Sequence, residues 1–231
     1  MSIDVEVLPS VTLFNGLDDD QMKMIALNGR IRSYRSGSAI MQQKDPGDTF
    51  FVILDGTVKV SLTLPDGSEV FLAVLAQGDT VGELSLIDAG GRSADVIAQE
   101  PTRILTMDRE LFDTLLASGA QFPRNLMRIL SRRLRLANVR IQAHCTLDVY
   151  GMVAHQLLEF AELYGQPAAN GATYVPIRLT QGDLATLVGA SRERVNQVMV
   201  SYRKSGIISV DGRFHITVEK TDLLRKRIAN N

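Results

Sequence analysis

Short apolar or alternating stretches fill residues 31–107 and point to β-structure. The clearest of them are the apolar run at 50–54, the period-two alternation at 58–62 and the run at 70–75. Turn residues such as Asp55 and Gly56 follow these stretches, and they favour tight connections between short strands. The pattern predicts an antiparallel barrel or jelly roll. A short helix is predicted before it, over residues 18–27.

The hydrophobic period changes at about residue 123. Apolar or small residues then recur at steps of three and four, at Met127, Leu130, Leu134, Ala137, Ile141 and His144. This spacing predicts a long helix over 123–146 with the seam of a two-helix coiled coil. An amphipathic helix packed on its own domain is the alternative. The flanking arginines, which we expect in solvent, are Arg128, Arg132, Arg133, Arg135 and Arg140.

A helix, a glycine turn and a second helix are predicted over residues 180–204. Thr180 and Asp183 have the spacing of a capping box, and Ser191 can cap the second helix after the turn at Gly189. The apolar face of that second helix is formed by Val195, Val198, Met199 and Tyr202. The arrangement predicts a helix-turn-helix, whose second helix enters the DNA major groove N-terminus first. An αα-hairpin packed only for stability is the alternative.

The outward side chains of the second helix suit base reading. Arginine can donate two hydrogen bonds to guanine, glutamate can accept one from cytosine, and glutamine can pair with adenine. After this helix, apolar stretches around Asp211-Gly212 predict a hairpin wing with a two-residue turn and Arg213 beside a backbone phosphate. The predicted DNA-contacting residues are Thr180, Gln181, Ser191, Arg192, Glu193, Asn196, Gln197 and Arg213.

The net charge of −1 conceals an uneven distribution of charges. Of the 25 basic and 26 acidic side chains, residues 1–120 carry 9 and 18, whereas residues 121–231 carry 16 and 8. The basic excess indicates that the C-terminal half meets a polyanion. The competing interpretation is that the opposite charges serve a contact between the two halves.

Several function classes are excluded by what the chain lacks. Its single cysteine, Cys145, excludes a disulfide framework, a Cys-rich zinc module and a four-cysteine iron–sulfur cluster. The apolar runs are too short to cross a bilayer, and the N-terminus, with Asp4 and Glu6, does not resemble a secretion signal. We therefore expect a cytoplasmic protein without a membrane partner. The sequence has no nucleophile–base pair, metal-ligand spacing or phosphate loop, so no enzyme, catalytic residue or metal site is predicted.

Two motifs resemble one protein family. The segment 189–195, Gly-Ala-Ser-Arg-Glu-Arg-Val, resembles the recognition-helix signature of the Crp/Fnr transcription regulators. Upstream, Gly82-Glu83-Leu84-Ser85 and Arg92-Ser93-Ala94 resemble the phosphate-binding cassette of that family. The resemblance covers nearly the whole chain and implies an α+β fold. Its parts are a cyclic-nucleotide-binding β-roll (jelly roll) over residues 1–122, a dimerisation helix over 123–146 and a winged helix-turn-helix over 147–231.

The cassette residues have the chemistry that a cyclic nucleotide needs. The Arg92 guanidinium, the Ser93 hydroxyl and local backbone N–H groups can hold phosphate oxygens, and Glu83 can accept a hydrogen bond from a ribose hydroxyl. Gly82 lets the backbone approach the ligand. An internal Arg–Glu pair in a strand-connecting loop is the alternative. The predicted ligand-contacting residues are Gly82, Glu83, Leu84, Ser85, Arg92, Ser93, Ala94, Ala137 and Asn138.

The long helix departs from the family pattern where the resemblance implies contacts with the base. Ala137 and Asn138 stand where family members carry Thr-Ser or Thr-Asn, and Ala137 has no group that can bond to a purine. Cyclic AMP is the first expected effector, with cyclic GMP and cyclic di-GMP as alternatives, and no cofactor is expected. The family's haem sensors are a poor match, since His144, His155 and His215 all lie outside the roll.

The resulting interpretation is a homodimeric transcription regulator controlled by a cyclic nucleotide. The resemblance implies a palindromic DNA site with TGTGA half-sites, Arg192 on a guanine and Glu193 on a cytosine of the opposite strand. Gln197 stands at the position of the family's second guanine-reading arginine, so we expect a relaxed or altered preference at that base pair. The resemblance also admits RNA polymerase as a partner. The rival interpretation is a DNA binder of the same fold that needs no small molecule.

Overall fold

The computed structural model describes residue 8, residues 11–67 and residues 69–229. The chain divides inside one long helix into two compact units, Met1–Leu134 and Arg135–Asn231, called here the N-terminal and C-terminal units. The functional boundaries predicted at 122/123 and 146/147 stay predictions. Asp4 and Glu6, on which the expectation of no secretion signal rests, lie outside the described residues.

Along the chain, a region rich in β-strands is followed by a helical region and then by a region that contains both helices and strands. The helices are α1 Asp19–Asn28, α2 Glu83–Asp88, α3 Arg109–Ala117, α4 Gln121–Thr146, α5 Val149–Tyr164, α6 Gln181–Leu187, α7 Arg192–Lys204 and α8 Thr221–Ala229. The strands are β1 Arg30–Tyr34, β2 Ala39–Met41, β3 Thr49–Asp55, β4 Val58–Thr63, β5 Glu69–Leu75, β6 Thr80–Val81, β7 Asp95–Ala98, β8 Thr102–Asp108, β9 Gln166–Pro167, β10 Thr173–Val175, β11 Ile208–Val210 and β12 Ile216–Val218. None of the helices in the described part of the chain combines the length and apolar character that a membrane span needs.

The N-terminal unit contains the predicted jelly roll as two antiparallel sheets with strand orders β1-β8-β3-β6 and β2-β7-β4-β5. Strand β3 explains why one segment is uniformly apolar rather than alternating. Phe50 and Val52 belong to one core cluster, whereas Phe51 and Ile53 belong to the other. Because successive side chains of a strand point to opposite faces, a strand covered on both faces has no polar positions.

Helices at the end of the roll close the larger of its two cores. The Phe112 ring on α3 lies 5.6 Å from that of Phe50 and 5.8 Å from that of Phe122 at the start of α4. Helix α3 is absent from the sequence-based prediction although the Asp108 carboxylate caps it. Helix α4 begins at Gln121 rather than at residue 123. The first turn accommodates Pro123, because the N–H that proline lacks would have no helical acceptor there.

The C-terminal unit combines helices with one small antiparallel sheet of order β11-β12-β10-β9. Helix α5 packs against α7 and α8. The sequence predicts a polar loop over residues 166–172, whereas the structure has β9 and a 3-10 helix, Ala169–Gly171, in this segment. A two-residue strand has too few positions to show a hydrophobic period, so the sequence does not predict β9 or its pairing with β10.

Candidate functional site

The Arg92 guanidinium is a buried cation that bonds to backbone carbonyls. Its Nη1 donates to the Gly82 carbonyl oxygen at 3.1 Å, and its Nη2 donates to that of Thr49 at 2.6 Å. The side chain is 5% exposed and lies 5.4 Å from the centroid of the Phe51 ring. The alternative interpretation, an internal pair of Arg92 with Glu83, does not describe what holds Arg92, because its hydrogen-bond partners are neutral carbonyl oxygens.

Burial lowers the pKa of Arg92, since the charged form loses solvation. The carboxylates of Asp48, Asp45 and Glu83 act in the opposite direction on that pKa. An arginine with a lowered pKa is still protonated at neutral pH because its ordinary pKa is so high. The cassette thus contains a positive charge held in a poorly solvated place, where an anion interacts more strongly than in water.

Glu83 has one carboxylate oxygen occupied and one that lacks a partner. This first residue of α2 is 3% exposed, and its Oε1 accepts a hydrogen bond from Arg133 Nη1 at 2.6 Å. Arg133 Nη2 also donates to the Thr80 carbonyl oxygen. Among the described residues, no donor reaches Glu83 Oε2. A buried acceptor without a donor is costly, and a ribose hydroxyl is the kind of donor that would satisfy it.

Gly82 is required by the cassette's own packing as well as by any ligand. Its φ is +89°, and a Cβ there would lie 2.7 Å from Arg92 Nη1 and 3.0 Å from the Thr49 carbonyl oxygen. Both the backbone conformation and the lack of space exclude a side chain. The sequence predicts that this glycine allows a ligand to approach the backbone, whereas in the structure Arg92 fills the adjacent space.

The other predicted cassette residues divide into buried and exposed positions. Ser85 is 2% exposed and its Oγ donates to the Gly91 carbonyl oxygen at 3.4 Å, while Ala94 is also buried. Ser93 is exposed, and so is Leu84. The structure therefore brings Glu83 and Arg92 together beside α2 and leaves the Ser93 hydroxyl accessible. Ala137 and Asn138 are exposed on α4 in the C-terminal unit, and their contact with a base stays a prediction.

Two of the five arginines expected in solvent form ion pairs instead. Arg133 bonds to Glu83 within the N-terminal unit, as described above. Arg140 Nε donates to Glu159 Oε2 at 3.1 Å, and the Glu159 side chain is buried. Both partners are far from the arginines in sequence, so local periodicity gives no indication of either pair.

Arg109 is a further residue of the site, and neither sequence motif includes it. Its Nη1 donates to the Leu86 carbonyl oxygen at 3.1 Å, and its Nη2 donates to those of Gly47 and Ser85 at 3.2 Å each. These bonds hold α2 against the loop before β3. The side chain thus supports the cassette without belonging to either motif.

Large apolar side chains of α4 are exposed at heptad spacing. Met127 is 60% exposed, Leu134 is 65% exposed and Ile141 is 63% exposed. Leu130, the other leucine of the predicted seam, packs against the larger core of the roll. A row of exposed apolar residues at seam positions is typical of a helix that pairs with another helix.

The helix-turn-helix has the caps and the buried face that the sequence predicts. The Thr180 hydroxyl accepts from the Asp183 N–H, and the Asp183 carboxylate accepts from the Thr180 N–H at 3.0 Å. Ser191 Oγ accepts from the Arg194 N–H at 3.3 Å and caps α7. The side chains that α7 buries are Val195, Val198, Met199 and Tyr202. Gly189 lies in the turn with φ of +63°.

The residues expected to read bases are exposed on α7, and two of them touch α6. Arg192, Glu193, Asn196 and Gln197 are all exposed. Gln181 Nε2 donates to Asn196 Oδ1 at 2.8 Å. A Cβ at Gly182 would lie 3.2 Å from Arg192 Nε, so the arginine lies close over this glycine. The start of α6 therefore positions side chains of the predicted recognition helix.

The wing differs from the two-residue hairpin predicted at its tip. Strand β11 ends at Val210 and β12 begins at Ile216, so residues 211–215 form the connection. Asp211 Oδ1 accepts from the N–H groups of Arg213 at 2.8 Å and His215 at 2.9 Å. The His215 N–H is the main cause that lowers the pKa of Asp211. The two-residue prediction is wrong because this carboxylate stabilises a wider turn. Arg213 is exposed there, as expected.

Comparison with known proteins gives a match for each unit. Residues 31–118 match the cyclic nucleotide-binding domain, and residues 152–227 match the Crp-like helix-turn-helix domain. The chain is 31% identical over 221 residues to the CRP-like cAMP-activated global transcriptional regulator of Mycobacterium tuberculosis, covering 96% of this chain and 98% of that protein. The chain belongs to the Crp/Fnr family of transcription regulators. The resemblance seen in the two motifs is thereby confirmed.

Solved structures of this family agree with the predicted α+β fold of roll, long helix and helix-turn-helix. The Thermus thermophilus catabolite activator protein is 29% identical, with a TM-score of 0.52, and the match covers 95% of this chain and 99% of that one. The c-di-GMP responsive global regulator CLP of Xanthomonas campestris is 22% identical with a TM-score of 0.69, and the match covers 87% and 98% of the two chains. At 22% identity, the similarity to the X. campestris regulator supports the fold alone. The predicted fold class is confirmed.

Proposed function

We propose that this Crp/Fnr protein is a homodimeric transcription regulator that cyclic AMP activates for binding to a palindromic DNA site. The observation that carries the nucleotide assignment is the pair of buried groups in the cassette. Arg92 provides a poorly solvated cation, and Glu83 Oε2 is a buried acceptor without a donor. A cyclic nucleotide has a complementary pair of groups, an anionic phosphate and a ribose hydroxyl. The relative from M. tuberculosis, which is cAMP-activated by name, supports the same effector.

Each cassette residue has a separate part in the proposed binding. Arg92 and the accessible Ser93 hydroxyl hold the phosphate, and Glu83 accepts from the ribose 2′-hydroxyl. Because Arg133 of α4 bonds to the same carboxylate, a ligand on Glu83 also acts on the long helix. Ligand binding then favours one arrangement of the two recognition helices of the dimer, which is a population shift. No step of this scheme makes or breaks a covalent bond, so the proposed protein is not an enzyme.

The base of the nucleotide has one hydrogen-bonding partner fewer in this chain than the family pattern provides. Ala137 removes a hydrogen-bonding group from the base side, so cyclic GMP and cyclic di-GMP stay as alternatives. A ligand-free regulator is favoured by one observation, namely that Arg92 and Glu83 Oε1 already have partners within the protein. Calorimetric titration with the three nucleotides separates these cases. We expect heat of binding with cyclic AMP, and no heat with any of the three would contradict nucleotide control.

Glu83→Gln is expected to reduce discrimination between cyclic AMP and its 2′-deoxy analogue. A hydrogen bond to a carboxylate contributes about 1.5–3 kcal/mol, so the unaltered protein should prefer cyclic AMP by about 10- to 100-fold. The neutral amide makes a weaker acceptor, and we expect the preference to fall below about fivefold. Calorimetry with both ligands measures the ratio.

The matched control for this change is Glu69→Gln. It makes the same chemical change on β5 and breaks the surface ion pair with Lys59, whose Nζ lies 2.5 Å from the carboxylate. We expect this control to leave the preference for the 2′-hydroxyl intact. An equal loss of preference in both variants would mean that Glu83 does not meet the ribose.

The proposed DNA site is a palindrome of TGTGA half-sites, read by one α7 from each subunit. Arg192 and Glu193 are exposed at the start of α7, where side chains reach base edges. The basic excess of residues 121–231 supports a polyanionic partner. The exposed apolar row on α4 supports a second copy of the chain as the partner of that helix. DNA and a nucleotide as ligands make the cytoplasm the proposed location, with RNA polymerase as a further proposed partner.

Arg192→Ala and Arg213→Ala are expected to weaken DNA binding in different ways. Losing a bidentate base contact should cost about 1–3 kcal/mol and act mainly at one G·C pair. Losing a phosphate contact should weaken all sequences equally and lower the slope of log affinity against log salt by about one. Binding to a set of single-base-substituted palindromes measures both effects. If Arg192→Ala weakened every sequence equally, a residue other than Arg192 would be the one in the groove.

A further inference from the structure

An aromatic side chain is exposed at the tip of the wing. Phe214 is 47% exposed, and its φ is +66°. The left-handed region is uncommon for a bulky residue and is strained. The turn holds this conformation through Asp211, whose carbonyl oxygen accepts from the Phe214 N–H at 3.2 Å while its carboxylate accepts from the two neighbouring N–H groups. The wing therefore tolerates backbone strain in keeping a partly exposed ring at its tip.

One face of the Phe214 ring carries a positive charge. The Cζ of Arg178 is 5.5 Å from the ring centroid, which is cation–π distance. Arg213 is the preceding residue, and both arginines are exposed. A DNA backbone offers a matching surface, because apolar C–H groups of deoxyribose lie between its anionic phosphates.

Direct contacts connect the wing tip with the outward face of α7. The Leu179 N–H donates to the Phe214 carbonyl oxygen at 3.1 Å, and the next residue, Thr180, caps α6. Gln181, in the first turn of α6, donates from Nε2 to Asn196 Oδ1 at 2.8 Å. The wing tip, the start of α6 and the proposed recognition helix are thus connected by hydrogen bonds within the C-terminal unit.

We propose that Phe214, with Arg178 on its face, packs on deoxyribose groups of the DNA backbone that flanks the half-site read by α7. This inference rests on the proposed function and adds to it an apolar contact that does not depend on base sequence. Duplex DNA is the occupant that fits, because the ring has the Arg178 guanidinium on its face, follows Arg213 in the chain and is connected through the start of α6 to the recognition helix. An apolar contact with a protein partner would not require a positive charge beside the ring.

Phe214→Gly is the variant that removes the ring without straining the turn. Glycine adopts a φ of +66° freely, so the turn is expected to keep its shape. On a palindrome of TGTGA half-sites with extended flanks, we expect about a fivefold loss of affinity, since part of an aromatic ring loses its apolar contact. The salt dependence should not change, because no charge is removed. Phe214→Tyr keeps the ring and should bind as the unaltered protein does.

The length of the duplex separates a flank contact from an effect within the protein. On a duplex that ends at the half-sites, the unaltered protein and Phe214→Gly should bind equally. The control is Leu223→Ala, which removes an exposed apolar side chain from α8 and should leave affinity unchanged on both duplexes. Thermal unfolding of each variant verifies that it is folded.

The outcomes distinguish this inference from the proposed function. Equal binding of Phe214→Gly and the unaltered protein on the long duplex would overturn the flank contact and leave the proposed function intact. A loss that persists on the short duplex would also overturn it, because the ring would then act through the protein or on another partner. An unaltered protein that binds no palindrome would overturn the proposed function itself.

Discussion

Arg92→Leu is expected to lower cyclic nucleotide affinity by about 100-fold or more. Two charge-assisted hydrogen bonds to a phosphate are lost together, and each contributes about 1.5–3 kcal/mol. Within the described residues, no other buried cation lies in the cassette to take over this contact. Calorimetric titration with cyclic AMP measures the loss. Unchanged affinity would show that the cassette is not the binding site.

The variant also leaves two backbone acceptors without a donor. The carbonyl oxygens of Gly82 and Thr49 would each lose the bond from Arg92, at a cost of about 1–3 kcal/mol in stability for each buried group. Thermal unfolding must therefore accompany the titration. Arg92→Lys keeps the charge and is expected to bind with intermediate affinity, because a single ammonium cannot make the paired contact. Arg103→Leu, on an exposed position of β8, is the matched control and should bind normally.

Leu134→Glu is expected to convert the proposed dimer into folded monomers. The side chain is 65% exposed, so a carboxylate there costs the single chain little. In a symmetric seam, the same change buries two carboxylates that have no partner. Uncompensated buried charges of this kind lower the stability of the dimer by about 3–5 kcal/mol or more. Sedimentation measures the mass, and the monomer should lose affinity for the palindrome. A stable dimer would remove α4 from the interface.

Gln142→Glu is the matched control for the seam. It introduces the same residue with the same change in charge, one position beyond Ile141 and outside the apolar row. Gln142 is exposed on α4, as Leu134 is. We expect this variant to remain dimeric. Dissociation of both variants would indicate that added charge on the helix, rather than the apolar row, controls assembly.

Local features of the fold could be predicted because neighbouring residues create them. The capping box of Thr180 and Asp183 and the serine cap at Ser191 are contacts between residues three positions apart. The buried face of α7 follows from a period of 3.6 residues, and the exposed apolar row on α4 follows from the heptad. These features survive folding because tertiary contacts reinforce rather than override them.

The structure differs from the local pattern where a distant residue or a single side chain decides the conformation. The wing turn is wider than predicted because one carboxylate, Asp211, stabilises it. The local pattern predicts Arg133 in solvent, whereas it bonds to Glu83, which is 50 residues away in sequence. Strand β9 has two residues and no period, and its pairing with β10 exists only in the folded sheet.

The amino-acid sequence by itself determined the fold class, because periods, caps and turn residues act over a few positions, and its two motifs carried the resemblance to the Crp/Fnr family. The tertiary structure alone decided how the cassette is arranged. It brings the Thr49 carbonyl oxygen, 43 residues away in sequence, within hydrogen-bond distance of the Arg92 guanidinium. It also leaves Glu83 Oε2 buried without a donor among the described residues. Such contacts depend on the closure of the roll, which brings distant segments together and removes water from between them. Spacing along the chain does not contain that information.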